Sequence, residues 1–379
     1  MSQGTSSLPL RTFYVRTSDR ISFKRCRRKW NWQFAMRGNR TSLTRSNPLW
    51  LGSAFHFAME DRHGWRRWPS GADAFEAYYQ AWLTASRKNG GRIPDDHQEL
   101  AALTHKMLAY YETWLEPRQE METFWHNGEP QVEVKFEIEL PVDKMYLAQC
   151  GYDRVIITGT IDRVVKDELN RLWLVDYKTA KAFNTTHYDT DPQISTYCWA
   201  ASILYPHEIA GFVYQQHKKS LPDEPKFLTS SKMFSIAKNQ STTRPLYRQA
   251  LIKLYGSLEA APELSIQYLN YLAEQEGENI DAFIRRDFVY RNTSQLQAIE
   301  RNLHFEVLDM LDPALRLYPN PTRDCDWDCD FKQACINMDD GGDWQFELEN
   351  TTVDRTEDDE SWRQFLRLPE PDPFRQNSP

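Results

Sequence analysis

Apolar positions recur at helical spacing through the first third of the chain and then switch to strict alternation. Ser18 and Asp19 provide a helix start ahead of FKRCRRKWNWQF. Pro48 precedes a second helical pattern, LWLGSAFHFAMEDRHGWRRW, and amphipathic helices are predicted near 72–88 and 96–114. The texture changes at VEVKFEIEL, where apolar and charged residues alternate as in a half-buried strand. DRVIITGTIDRVV and RLWLVDYKT read as two further strands joined by a turn over KDELNR. A helix is predicted over 192–204, a strand over IAGFVYQQH, a loop over 239–245, and helices over 246–271 and 293–311.

This order predicts an α/β fold: a small mixed central sheet flanked by helices, with additional helical parts at both ends. No internal repeat is present. Residues 1–17 are read as a flexible lead-in and 18–338 as one domain. Its core is about 130–220, and its helical parts are 18–115 and 246–338. The acidic segment 339–379 is read as a flexible tail, with WRQFLRL as a short docking element.

The apolar runs near 194–205 and 303–317 are interrupted by polar residues, which argues against a membrane span. The N-terminal residues contain no apolar stretch of the secretory kind, so a cytoplasmic location is expected. The net charge of −8 is unevenly spread. Residues 339–379 hold twelve acidic and four basic side chains, a net −8, so the rest is neutral. Within it, residues 1–70 hold fourteen Lys/Arg against three Asp/Glu. A basic N-terminal region on a neutral body fits a polyanion partner, although an unevenly charged surface has the same composition.

The densest chemistry lies in GTID (159–162), DYK (176–178) and QISTY (193–197). Adjacent antiparallel strands would bring Asp162 near Asp176, and two converging carboxylates make a hard-oxygen site for Mg²⁺ or Mn²⁺. Asp176 and Lys178 are two apart on a strand and share a face, where a lysine can polarise water or a phosphate. An Asp and a Lys at this spacing are more often a solvated surface pair. Here the strand is apolar up to Asp176 and turns polar abruptly at its end.

GTIDRVV, LWLVDYKTAK and DPQISTYCWAA together resemble motifs of the PD-(D/E)XK nucleases, in their RecB-like branch. The resemblance implies a restriction-endonuclease-like core and a metal-dependent DNA nuclease, an exonuclease acting on single strands or free ends. It implies Asp162, Asp176 and the Tyr177 carbonyl as metal ligands and Lys178 as the catalytic lysine. Gln193 and Tyr197 would stand one helical turn apart beside the site. GSAFHFAME resembles the family's helical GxxxH segment and makes His56 a further metal ligand, with Glu60 in support. Glu137 of the first strand is a weaker candidate for the same site. Recombination, repair or phage DNA processing is the implied setting in a bacterial or phage-infected cell, with a helicase or recombinase as partner. The alternative is a non-catalytic nucleic-acid-binding subunit of a larger complex.

Cys325, Cys329 and Cys335 form C-x3-C-x5-C in a highly polar stretch, and Cys26 lies in CRRKW. Four thiolates can hold either a tetrahedral Zn²⁺ or an iron–sulfur cluster. One distant cysteine with a C-terminal trio resembles the [4Fe-4S] staple of AddB-like and CRISPR-associated exonucleases. That resemblance implies a cluster joining the N- and C-terminal helical parts. Cys150 and Cys198 lie beside apolar elements and are read as packed. Arg25, Arg27, Arg28 and Lys29 are the DNA-contact candidates, some of them alternatively shielding the cluster. Most of the thirteen tryptophans are read as core anchors.

Overall fold

A computed structural model describes residues 11–42, 49–89, 93–118, 120–277, 280–355 and 360–369. A seven-stranded mixed sheet organises the molecule. Its strands are β1 (Arg11–Arg16), β2 (Glu122–Thr123), β3 (Val132–Leu140), β4 (Tyr152–Lys166), β5 (Leu172–Ala180), β6 (Ile209–Lys218) and β7 (Ile284–Tyr290). The path runs β1, β4, β5, β6, β7, and β3 and β2 pair along the other edge of β4.

The long strand β4 decides the shape of the centre. One of its edges carries β3 and then β2, both antiparallel. Its opposite edge is shared. β1 pairs in parallel from Tyr152 to Thr158, and β5 pairs antiparallel from Arg163 to Lys166. Among the described residues no strand lies on that edge between Thr158 and Arg163; β5 parts from β4 at Val175 and continues paired with β6. The sheet therefore forks at GTID.

Helices cover both faces, which is why the inner strands read as nearly continuous apolar runs rather than alternating ones. On one face α3 (Leu49–Glu60), α4 (Gly71–Asn89) and α5 (His97–Leu115) bury Val165, Trp173, Val175 and Val213. On the other, α1 (Thr17–Arg25), α6 (Pro192–Leu204) and α9 (Thr293–Leu311) bury Ile157, Ile161, Leu174 and Phe212. Between β6 and β7 the chain inserts α7 (Arg244–Tyr255) and α8 (Glu263–Gln275), which close a small core of their own around Tyr247 and Tyr268.

The single helix expected through FKRCRRKWNWQF is two. Cys26 is extended, with φ −160° and ψ 111°, and its Sγ accepts from Lys29 N at 3.4 Å, capping α2 (Arg27–Gln33). The helix expected over 246–271 also divides, at Gly256, whose φ of 84° suits a glycine ending a helix. Residues 11–16, read as lead-in, form β1, with Phe13 and Val15 buried against the sheet; residues 1–10 and Pro48 lie outside the described residues.

Part of the acidic segment is ordered. The ribbon Arg40–Ser42 pairs with Thr352–Asp354. α10 (Lys332–Asp340) and α11 (Trp344–Thr351) pack on α2 through Phe331 and Trp344, 5.6 and 6.0 Å from Trp32. Trp362 of WRQFLRL packs against Tyr78 at 4.2 Å with its ring tilted by 48°, and meets Phe57 edge-on. These apolar anchors outweigh the segment's charge, while 370–379 lie outside the described residues. β7 escapes the sequence pattern because its buried residues include Arg286.

Candidate active site

The fork places the two aspartates. β5 leaves β4 just after Val175, so the Tyr177 amide has no β4 carbonyl to bond. It donates instead to Asp162 Oδ2 at 2.7 Å. Asp162 and Asp176 are both buried, one on each prong. Lys178 follows on the same prong, its Nζ 2.9 and 2.8 Å from the two Asp176 oxygens. Gln193, in the first turn of α6, donates from Nε2 to Asp176 Oδ1 at 3.2 Å. That turn is fixed by Asp191, whose side chain caps it by accepting from Gln193 N at 2.7 Å, and by Pro192 at the first position.

Tyr197, one turn further, packs edge-to-face on Phe136 of β3 at 5.6 Å. Gly159 sits beneath both rings. A Cβ there would lie 2.8 Å from Phe136 Cζ and 3.1 Å from Tyr197 Cε1, so only glycine lets the two close over the fork.

α3 brings His56 to the other side of Asp162. Its Nδ1 lies 3.4 Å from Asp162 Oδ2 and 3.4 Å from Glu133 Oε1. One ligand atom from each of His56, Glu133 and Asp162 lies within 4.8 Å of the others. Glu133 faces Asp162 across the β3–β4 ladder, between the pairs Val132↔Arg163 and Val134↔Ile161. Its φ is +47°, a left-handed backbone that a glutamate rarely adopts and that costs on the order of 1 kcal/mol. Such strain persists where the surroundings impose it. Glu60 lies near Glu133 rather than hydrogen-bonded to His56. Burial and the Glu133 charge raise its carboxyl above the usual range.

The electrostatics follow from crowding. Burial and the nearby Asp162 push Asp176 up to about 6, against the pull of Lys178. Burial would also raise Asp162, but His56 and Lys178 outweigh it and hold it below the usual carboxylate value. Burial disfavours the His56 cation, yet Asp162 and Glu133 carry it well above an ordinary histidine. Lys178 is likewise raised, since Asp176 and Asp162 overcome its desolvation. Asp176 Oδ2 has no well-directed hydrogen bond although it lies close to Nζ. His56, Glu133 and Asp162 are a donor set that suits a divalent cation; Asp176 lies outside that group, close to Asp162, with one oxygen lacking a directed partner.

Behind the sheet, Tyr177 points away from the cleft. Its hydroxyl accepts from Arg163 Nη1 at 3.3 Å, and its ring stacks on His63 at 6.1 Å. The buried Arg163 also donates to Thr123 Oγ1 at 2.8 Å, to Glu120 Oε1 at 3.3 Å and to the Met121 carbonyl. Arg286 reaches the same Glu120 oxygen at 3.5 Å. Burial, reinforced by Arg163, keeps His63 neutral, with its pKa well below the ordinary value. Sequence reading missed this network and missed Glu133. VEVKFEIEL offers Glu133, Glu137 and Glu139 equally, and only register against β4 selects the first. Glu137 pairs with Thr158 and is exposed, one end of the strand away from Asp162.

The cysteines sit elsewhere, where the two terminal regions meet. Cys26 separates α1 from α2, Cys325 lies in the single turn Arg323–Asp326, Cys329 precedes α10, and Cys335 is inside it. Burial raises the Cys329 and Cys335 thiols, and Cys26 and Cys325 lie near enough to Cys329, and Cys26 to Cys335, to add a smaller push in the same direction. No three of their sulfurs lie within 4.8 Å of one another. Arg28 Nη1 donates to Cys335 Sγ at 3.2 Å and to Asp339 at 2.8 Å. Lys29 donates to the Asp328 carbonyl at 2.6 Å, Arg25 pairs with Asp328, and Arg27 lies over the rings of Phe23 and Tyr318.

A forked mixed sheet holding Asp-x-Lys against a second aspartate, with a helix above each prong, defines a restriction-endonuclease-like fold with a divalent-metal hydrolase site. The chain belongs to the PD-(D/E)XK nuclease superfamily, whose family model matches residues 19–336. A search of curated proteins finds no match. Among solved structures, one described as "Crystal structure of SSO0001" is 10% identical over 83% of this chain and 82% of that one. Its TM-score is 0.30. Nucleases of this superfamily use divalent metals, and no helix among the described residues is long and apolar enough to cross a membrane.

Proposed function

We propose that this chain is a deoxyribonuclease that hydrolyses phosphodiester bonds from single strands or free ends, in the RecB-like branch of its superfamily. The observation that carries the reading is the convergence of His56, Glu133 and Asp162 on the prong opposite Asp176 and Lys178. His56, Asp162, Asp176 and Glu133 would hold Mg²⁺ or Mn²⁺, with the Tyr177 carbonyl assisting. A cation held there lowers the pKa of water and offsets charge on the phosphate.

The side chains supply the rest. Lys178, kept protonated by Asp176 and Asp162, is a donor and a positive charge for phosphate or water oxygen, not a proton acceptor. Gln193 holds Asp176 in place from α6. Tyr197, whose phenol stays protonated with a pKa raised to about 12 by burial and the two aspartates, is a second donor over the fork.

In the same reading Cys26, Cys325, Cys329 and Cys335 carry a [4Fe-4S] cluster. Cys26, Cys325 and Cys335 each accept an N–H donor, from Lys29, Thr322 and Arg28. A tetrahedral Zn²⁺ is the alternative occupant of the same four thiols. Arg25, Arg28 and Lys29 would then shield the cluster, with Arg27 left to contact DNA. A cytoplasmic setting in recombination, repair or phage DNA processing, with a helicase or recombinase partner, completes the proposal.

The test is cleavage of end-labelled single- and double-stranded DNA, linear and circular, with Mg²⁺ or Mn²⁺. Asp162→Ala and Lys178→Ala run beside the wild type, and the visible spectrum of anaerobically purified protein is recorded. Metal-dependent cleavage of linear DNA, lost in both variants, is expected, with brown protein. Wild type that cleaves nothing while folded and metal-loaded would overturn the reading.

A further inference from the structure

Beyond Lys178 the prong β5 ends at Ala180, and Lys181 follows directly. β6 runs parallel beside it, with Lys178 opposite Gln216 and Ala180 opposite Lys218. The Lys219 amide donates to the Ala180 carbonyl at 2.8 Å, which holds Lys181 and Lys219 side by side where the two strands end. Lys218 Nζ lies 4.7 Å above the Phe183 ring. None of Lys181, Lys218 and Lys219 has a carboxylate partner among the described residues, although Asp223 and Glu224 follow in the same loop. Nearby cations differ in this respect: Lys178 is matched by Asp176, and Arg285 by Asp287. Burial and the Lys181 charge together hold the Lys219 ammonium below an ordinary lysine. Folding has thus gathered three cations without carboxylate partners among the described residues, one of them over an aromatic ring, at the end of the strand that carries Lys178. Like charges repel, and an anionic ligand relieves the repulsion.

We propose that Lys181, Lys218 and Lys219, with the ring of Phe183, form the track that holds the phosphates of a single DNA strand as it enters the Asp162–Asp176–Lys178 site. This rests on reading that site as a nuclease. The lysines give phosphate contacts without base preference, and the ring offers a stacking surface to an unpaired base. A duplex shields its base faces and has less use for such a ring.

The test uses the full chain in EDTA and a fluorescein-labelled oligothymidylate of about 20 nucleotides, with anisotropy read from about 50 to about 200 mM NaCl. Lys181→Gln/Lys219→Gln is compared with wild type and with Lys106→Gln/Lys253→Gln, a control of equal charge on the exposed faces of α5 and α7. Lys181→Gln/Lys218→Gln serves if replacing the half-buried Lys219 lowers the melting temperature. Loss of two phosphate contacts should weaken binding about tenfold at the lowest salt. It should also flatten the slope of log Kd against log salt by about 1.4, from ~0.7 per contact on a single strand. The control should match wild type. Unchanged affinity and slope in the lysine variants, or an equal loss in the control, would overturn the track. If wild type cleaves DNA with Mg²⁺ while the variants bind undiminished, the track alone falls. If wild type neither cleaves nor binds, the nuclease reading falls with it.

Discussion

Arg163→Met tests whether the network behind the sheet holds the fork in shape. The guanidinium is nearly fully buried and bonds four partners: the Thr123 hydroxyl, Glu120, the Tyr177 hydroxyl and the Met121 carbonyl. A buried hydrogen bond contributes about 1 kcal/mol net, so losing all four costs about 4 kcal/mol. Two effects reduce this. Glu120 keeps Arg286 at 3.5 Å, so its charge is not stranded, and the penalty for burying a second cation disappears. A net loss of about 3 kcal/mol remains, or roughly 4 °C in melting temperature, from about 2.1 cal/mol/K of unfolding entropy per residue over a chain of this length. The site should feel it as well. The Tyr177 ring would lose its anchor while the Tyr177 amide is still bonding Asp162 at 2.7 Å. Mn²⁺ affinity, measured by calorimetry below the melting range, should therefore fall with stability. Arg163→Lys keeps the charge but not the fork of donors, and should recover only part of each loss. A variant that melts within 1 °C of wild type would refute the anchoring. One that melts early yet binds Mn²⁺ normally would refute its transmission to Asp162.

Three further outcomes are expected. Gly159→Ala drives a methyl into Phe136 and Tyr197 and should cost about 1–3 kcal/mol in thermal unfolding and slow cleavage in parallel; wild-type behaviour on both counts would show that the two rings do not close tightly over the fork. Glu133→Gly removes a strained glutamate backbone and a metal donor together. It should leave the melting temperature unchanged or raised while weakening Mn²⁺ binding at least tenfold, and a fall in stability with intact binding would contradict the assignment. The third concerns acid. Burial and Arg286 hold His217 at about 3, against 6.5 for a free imidazole. As pH falls below 6.5 the unfolded chain takes up a proton that the folded chain refuses. Stability is complete above pH 6.5 and declines toward pH 3, by up to about 5 kcal/mol. His217→Gln should flatten that decline in urea titrations at pH 7, 6, 5 and 4.

The parts of the fold legible in the sequence were mostly those whose burial repeats at one period. β3 shows alternation and α9 a clean helical stripe, while α6 was legible from Asp191 and Pro192 at its start and the apolar run that follows. Asp162, Asp176 and Lys178 were legible because polar residues interrupt strands that are otherwise apolar. Arg286 hid β7, since a buried arginine reads as surface until Gln215 and Glu120 are seen beside it. Cys26 hid a helix break, because nothing local announces that a thiol will cap the next helix. Glu133 was hidden among three equivalent glutamates, and its selection depends on a register set by residues thirty positions away. The acidic segment was misjudged for a related reason. Its charge is spread along the chain, but Trp344 and Trp362 carry enough apolar surface to anchor it.

The junction of the terminal regions has a consequence for the time course of synthesis. Arg25 and Lys29 bond Asp328, Arg28 bonds Asp339, and the ribbon Arg40–Ser42 has its partner at Thr352–Asp354. A ribosome adding about 5–20 residues each second makes the first set of partners some 15–60 s before the second. Through that interval Trp32, later covered by Phe331 and Trp344, has no cover, and the basic stretch around Cys26 has no acidic counterpart. The forked sheet can assemble meanwhile, since β3 through β6 emerge in succession. Every residue of the site is therefore available to fold before the junction that joins the chain's two terminal regions can close.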